Sequence, residues 1–186
     1  MKILIGCEES QTECIAFRAR GHEAYSCDIQ ECSGNHPEWH IHDDVLNVIN
    51  DNWDLAIFHP PCTYLSNVSS HIKSDYRFQK MLEAKEFFMQ LYNCNIPKFA
   101  IENPVPKGAA QLPKYQQIIE PYFFGHPCTK KTCLWLHNLP LLYATNIVKP
   151  KYSFVYSCRS SVDRSKSFPG VAEAMADQWP GFTFNL

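Results

Sequence analysis

Short continuous apolar runs mark this chain. Ile3-Leu4-Ile5, closed by Gly6, and Leu55-Ala56-Ile57-Phe58 carry no polar residue in between. A strand covered on both faces, as in a parallel sheet, reads in this way, whereas a half-exposed strand alternates. Glu23 to Cys27 (ended by Asp28), Lys98 to Ile101, Tyr122 to Phe124 and Lys151 to Ser157 are further strand candidates, and Lys130 to Leu136 has a basic entry and then an apolar run. Helical spacing falls between them. Cys14 to Phe17 precede Arg18 and Arg20, with Ser10 or Thr12 placed to cap and Gly21 placed to end the helix. A short helix is expected from Val45 to about Asn50. A longer one is expected from Asp75 to Cys94, with Phe78, Met81, Leu82, Phe87, Phe88, Leu91 and Tyr92 on a wide apolar face. Leu112 to Glu120 and Val171 to Trp179 complete the helices. Strands alternating with helices predict an α/β fold: a mostly parallel, Rossmann-like sheet with helices on both faces.

Punctuation sharpens the picture at two strand ends. The run 55–58 stops at His59-Pro60-Pro61, since neither proline can donate to a strand ladder and His59 is pushed toward extended backbone. Cys62 is the first residue past this stiff corner. Loops after parallel strands open at the mouth of an α/β sheet, where ligands bind. The run 98–101 ends in Glu102-Asn103-Pro104 and presents a carboxylate in the same manner. The polar, Ser-rich stretch Tyr64 to Lys73 reads as a mobile loop beside Cys62, and Glu31 to His42 as a loop containing Gly34 and Pro37.

Composition narrows the class. At 186 residues, with 45% apolar and 19% charged positions, the chain suits one soluble domain with a full core. No repeat, linker or low-complexity segment divides it. No run is long enough to cross a bilayer, and the opening Lys2-Ile3-Leu4-Ile5-Gly6 lacks the features of a secretion signal. Nine cysteines without a disulfide-framework spacing then predict reduced thiols in a cytosol. A net charge of −2 supplies no global basic field for a large duplex footprint.

Most of these cysteines read as small core hydrophobes, among them Cys7, Cys14, Cys27, Cys94, Cys133 and Cys158. Cys62 differs because a strand exit after Pro-Pro is a poor place for burial and a useful one for a thiolate. About forty residues on, Glu102 would lie on the same rim of the sheet. With these two motifs the chain resembles the cytosine-5 DNA methyltransferases. Their catalytic loop carries Pro-Cys after a strand, here Pro61-Cys62. Their second catalytic motif is Glu-Asn before a small or apolar residue, here Glu102-Asn103-Pro104. The likeness covers roughly residues 2 to 125. Lys130 to Pro140, K-K-T-C-L-W-L-H-N-L-P, is similar to small phage and prophage proteins of this type that lack a target-recognition domain.

The resemblance implies Cys62 as a nucleophile, Glu102 as the partner of the ring N3 and Asn103 as a positioning group. It implies S-adenosyl-L-methionine as cofactor, held by Gly6, Cys7, Glu8, Glu9 and Ser10, by Asp28 and Ile29, by Asp44 and Val45, and by Pro60. About 1–60 would then form the cofactor half of a single domain and about 61–186 the catalytic half. Pro61, Thr63, Lys130, Lys131, Arg159 and Arg164 become substrate contacts, with a solvated basic face as the alternative for the four cations. Asp44 reads equally as a helix N-cap. The chain departs from the family at Glu8-Glu9-Ser10, where a glycine-rich turn is expected, and at His59 and Thr63 beside Pro-Cys. Cys27, Cys32, His36 and His40 have a spacing zinc could use, but no Cys-x-x-Cys pair, and no metal is expected. Trp39 and His40 are candidates for the pocket wall.

Three functions follow. One is methylation of cytosine in DNA, with a flipped base if the substrate is duplex and with a partner subunit supplying target recognition. Another is the same chemistry on a free pyrimidine nucleotide. The last is a silent module that binds a nucleotide or cofactor, for which a nucleophile is superfluous.

Overall fold

The computed structural model describes residues 1–66, 74–158 and 160–182. Seven strands form the main sheet: β1 (Lys2–Gly6), β2 (Glu23–Asp28), β3 (His40–His42), β4 (Leu55–Phe58), β5 (Phe99–Pro104), β6 (Gln117–Ile119) and β8 (Thr132–His137). Their order is β3-β2-β1-β4-β5-β8-β6. The first five run parallel, and β8 is antiparallel to both β5 and β6. A separate parallel pair joins β7 (Cys128–Thr129) to β9 (Tyr152–Ser153). The helices are α1 (Thr12–Arg18), α2 (Val45–Val48), α3 (Asp75–Tyr92), α4 (Phe154–Ser157), α5 (Ser161–Ser165) and α6 (Pro169–Gln178).

The continuous apolar runs are explained by burial on both faces. Ile3, Ile5, Leu55 and Ile57 point to a cluster with Phe17 of α1 and with Val171, Ala172 and Met175 of α6. Leu4, Ala56, Phe58 and Ile101 point the other way, toward Val45 of α2 and Met81, Phe88 and Leu91 of α3. Each such fully buried large side chain contributes on the order of 1.5–3 kcal/mol. The sheet order also locates the working edge. From β1 the chain moves outward to β2 and β3, then crosses back to β4 on the other side of β1. Ligands bind outside the carboxyl ends of the strands at such a reversal.

Several local expectations give way. Residues 112–116 are irregular and lead into edge strand β6, and Pro121–Phe123 is a 3₁₀ turn with Pro121 at its start. The alternating stretch 151–157 splits into two-residue β9 and helix α4. Helix α3 leaves Phe78 and Leu82 exposed. Glu102 to Pro104 do not follow β5 but belong to it, in register with Thr132 to Leu134 of β8. Of the loop expected at Tyr64 to Lys73, residues 67–73 lie outside the described residues.

Candidate active site

A cleft of about 1210 Å³ opens at the carboxyl ends of β1, β2 and β4. Ligand sites are typically about 300–1,000 Å³, so this one has room for more than one small molecule. The turn after β1 forms its floor. Cys7, Glu8, Glu9 and Ser10 line it, but Gly6 does not. A Cβ on Gly6 would stand 2.6 Å from Val45 Cγ2 and 2.7 Å from Phe58 Cδ1, so this glycine serves the packing of β1 under α2. Cys7 takes the left-handed conformation (φ 61°), which lifts the turn without a glycine. Burial pushes its thiol far up, and so does nearby Asp28.

Glu8 turns inward. Its carboxyl accepts from Glu13 N at 2.7 Å and Cys14 N at 3.3 Å and so caps α1, a task expected of Ser10 or Thr12. The N-cap residue itself is Gln11, left-handed at φ 60°, whose amide binds Ser26 and His36. Glu9 faces Lys166 at 4.0 Å across the cleft.

At the next strand ends the chemistry concentrates. Cys62 and Thr63 line the cleft together with His59 and Pro61. Pro60 is buried, and its carbonyl accepts from Asn103 Nδ2 at 2.8 Å. Asn103 (1% exposed) therefore ties β5 to the loop that carries Cys62. Cys62 is half-buried rather than open. Burial, then Glu102, push its thiol up, while Lys130 and Arg164 pull it down.

His59 sits between two carboxylates. Its Nδ1 lies 3.1 Å from Glu102 Oε2, and its Nε2 lies 3.3 Å from Glu13 Oε1, a charge contact without good hydrogen-bond alignment. The three side chains are 9%, 16% and 0% exposed for His59, Glu102 and Glu13. Burial lowers the imidazole's affinity for a proton, but Glu13 and Glu102 outweigh it and hold His59 well above the usual histidine range. Burial likewise opposes ionisation of Glu102, yet the His59 hydrogen bond and Lys130 hold it below the ordinary carboxylate value. Glu102 lines a cavity of about 20 Å³ with Glu13, Lys130, Thr132 and Ser167. This small cavity shares Lys130 and Ser167 with the wide cleft.

A cationic wall faces Cys62. Lys130, Lys131, Arg164 and Lys166 line the cleft, Lys130 N donating to Glu120 Oε2 at 2.8 Å. Arg159 lies outside the described residues. Phe154, Val155 and Tyr156 of α4 add an apolar stretch to the same wall, and Tyr156 is 90% exposed. At the far end Asp28, Ile29, Asp44 and Val45 line the cleft, and Ile29 is 73% exposed there. Asp44 lines the cleft and is also the N-cap of α2, its Oδ1 accepting from Leu46 N at 2.9 Å.

Trp39 and His40 do not reach this wall. Trp39 stacks on His36 and lies under the Arg18 guanidinium, while His40 Nδ1 pairs with Ser26 at 2.8 Å. Cys27 is buried with its thiol on Asp43 O. Among the described residues no group of three or more His, Cys, Asp or Glu side chains is disposed to hold a metal ion.

Sequence reasoning brought Cys62, Glu102, Asn103, Asp28 and Asp44 to this edge of the sheet. It did not bring Glu13 and Glu102 to His59, nor Lys166 to the cleft wall. The available signal was the oddity of His59 itself, in a position the motif leaves to another residue.

No protein-family model and no curated protein matches the chain. Solved structures do. A protein described as a DNA modification methyltransferase, encoded within an E. coli prophage, aligns with a TM-score of 0.52 at 15% identity, over 80% of this chain and 52% of that one. The Entamoeba histolytica methyltransferase EhMeth aligns with a TM-score of 0.51 at 14% identity, over 82% of this chain and 57% of that one. The chain thus spans about half the length of the structures it matches. Among the described residues no helix is long and apolar enough to cross a membrane. The parallel sheet with its antiparallel β8, and these alignments, give the chain the Rossmann-like fold of the methyltransferases.

Proposed function

We propose that this chain is an S-adenosylmethionine-dependent methyltransferase acting on carbon 5 of cytosine in DNA. The observation that carries the reading is the meeting of Cys62 and Glu102. Cys62 lies in the loop after β4 and Glu102 within the adjacent parallel strand β5, close enough for the carboxylate to shift the thiol, beside a cleft with Asp28 and Asp44 at its other end. Cytosine C5 is a weak nucleophile. Addition of the Cys62 thiolate to C6 makes it enamine-like, and Glu102 at N3 stabilises the charge that develops. Loss of the C5 proton then expels Cys62. Because burial disfavours the free thiolate, Lys130 and Arg164 are the groups that favour it as the base arrives.

The residues present fit the cofactor. Asp28 and Asp44 offer carboxylates to ribose hydroxyls, and Ile29, exposed inside the cleft, offers an apolar surface that a flat ring would cover. S-adenosylmethionine supplies the electrophilic methyl group. Asn103 positions the Pro60-Pro61-Cys62 corner. Thr63, Pro61, Lys130, Lys131 and Arg164 bind the nucleotide, and Arg159 joins them in this proposal. The 186 residues act as one domain, about 1–60 holding cofactor and about 61–186 the base, with target recognition contributed by a partner.

A cationic wall inside a chain of net charge −2 also suits a free cytosine nucleotide. One experiment separates the two. The protein is offered S-adenosylmethionine carrying a labelled methyl group together with duplex DNA, single-stranded DNA, RNA and cytosine nucleotides, and label is counted in each. Label in DNA is expected. Label confined to nucleotides transfers the same chemistry to the smaller substrate, and no label in any of them refutes the reading.

A further inference from the structure

Three buried carboxyl groups surround one imidazole beside the proposed nucleophile. Glu13 and Glu102 flank His59 at 3.3 and 3.1 Å, and Glu8 lies against Glu13 from the turn after β1. Lys130 is the further cation near Glu102. The charges facing His59 are thus Glu8 and Glu13 from α1 and its entry, and Glu102 from β5. Lys130 stands behind Glu102, and Cys62 follows in the same loop. Three buried carboxylates cannot all ionise around one imidazolium and one lysine without excess negative charge in a poorly solvated place. Burial and Glu13 push Glu8 up, which favours its neutral form over that of the other two. Glu13 and Glu102 then balance His59 and Lys130.

A purely structural ion triad would gain little over packed apolar residues. This one touches the group whose protonation the chemistry needs. Glu102 must give a hydrogen to N3 as the thiolate adds, yet His59 and Lys130 favour its ionised form. The hydrogen has to come from behind it.

We propose that His59, clamped between Glu13 and Glu102, is the proton store of this site. It hands its Nδ1 proton through Glu102 to the ring N3 as Cys62 attacks, a role that rests on the methyltransferase reading above. The His59 Nδ1–H bond breaks and a Glu102 O–H bond forms. That proton moves to N3 while the thiolate's electron pair forms the S–C6 bond. His59 is left neutral, its Nε2 still 3.3 Å from the Glu13 carboxylate. After methyl transfer the C5–H pair re-forms the C5–C6 double bond and its proton goes to water. The S–C6 pair leaves with Cys62, and the N3 proton returns through Glu102 to His59. The cavity of about 20 Å³ lined by Glu13, Glu102, Lys130 and Ser167 has space for about one water. His59 is accordingly a positioning and relay residue, and Glu13 sets its charge.

The test combines nitrogen-15 NMR of histidine-labelled protein with single-turnover methyl transfer. In the wild type, which needs no substitution, His59 is expected to carry both ring protons at pH 8. In Glu13→Gln its titration midpoint, and the alkaline fall of the methyl-transfer rate with it, should move down by a pH unit or more. His59→Gln should lose about a hundredfold to ten-thousandfold in the single-turnover rate with little change in KM. A neutral His59 at pH 7 in the wild type overturns the store, as does a Glu13→Gln protein with the wild-type pH profile. A charged His59 in a protein that methylates no cytosine overturns the functional reading instead, and the relay with it.

Discussion

Replacing Gly6 by alanine tests why a glycine stands at the end of β1 when no glycine-rich turn follows. The added Cβ would meet Val45 Cγ2 at 2.6 Å and Phe58 Cδ1 at 2.7 Å, against a comfortable separation of about 3.5–4.0 Å. Val45 is β-branched and 3% exposed, and Phe58 is fully buried, so neither can swing aside without moving α2 or β4. Overpacking of this kind costs about 1–3 kcal/mol. With a urea m-value of about 2–3 kcal/mol/M for a chain of this size, the unfolding midpoint should fall by about 0.3–1.5 M with m unchanged. Val45→Ala alone removes two buried methyl equivalents, about 1.6 kcal/mol. It also vacates the space the new methyl needs, so Gly6→Ala with Val45→Ala should be less damaged than the sum by about 1 kcal/mol. Additivity within about 0.5 kcal/mol would refute the steric account, and a neutral Gly6→Ala would refute it outright.

Other expectations follow from the same geometry. Glu102→Gln removes the negative charge that helps push the Cys62 thiol up, so iodoacetamide labelling of Cys62 at neutral pH, followed by peptide mass spectrometry, should become faster while methyl transfer collapses. Asn103→Asp replaces the donor facing Pro60 O by a carboxylate oxygen. This should destabilise the fold by more than about 1 kcal/mol and slow methyl transfer, as urea unfolding and single-turnover rates will show. Glu13 and Glu102 are depressed in the folded state, so their stabilisation is present above about pH 4.3, the unfolded value, and is lost as pH falls through the folded values. His59 is raised, so its contribution is complete below about pH 6.5 and disappears as pH rises through its folded value. Thermal unfolding across pH should therefore lose an alkaline component in His59→Gln.

The parts of this fold legible in the sequence are those whose signal is local. β1 and β4 are covered on both faces, and their uninterrupted apolar runs record it. Pro60-Pro61 and Pro104 mark strand ends for reasons internal to proline. β6 is a three-residue edge strand with Ile118 exposed, and its pairing comes from β8, so residues 112–120 lacked a strand pattern of their own. Phe78 and Leu82 have helical spacing but no partner on their side of α3 among the described residues, and periodicity cannot tell such a face from a core face. The site divides in the same way. Cys62, Glu102 and Asn103 are carried by motifs, whereas the His59 clamp joins residues 43 positions apart across two strands and a third on α1. Glu13 is a first-turn acid of α1 with no motif around it, and only the sheet order brings it beside His59.

The measurement that meets the central claim most directly uses cytosine with fluorine at carbon 5, placed in the substrate that accepts label. Fluorine cannot leave as the C5 proton does, so the thioether to C6 cannot collapse. In the presence of S-adenosylmethionine the account predicts a stable covalent complex. Its peptide mass should place methylated fluorocytosine on Cys62, and no complex should form with Cys62→Ser. Turnover of ordinary cytosine by Cys62→Ser, or an adduct on any other residue, would contradict it.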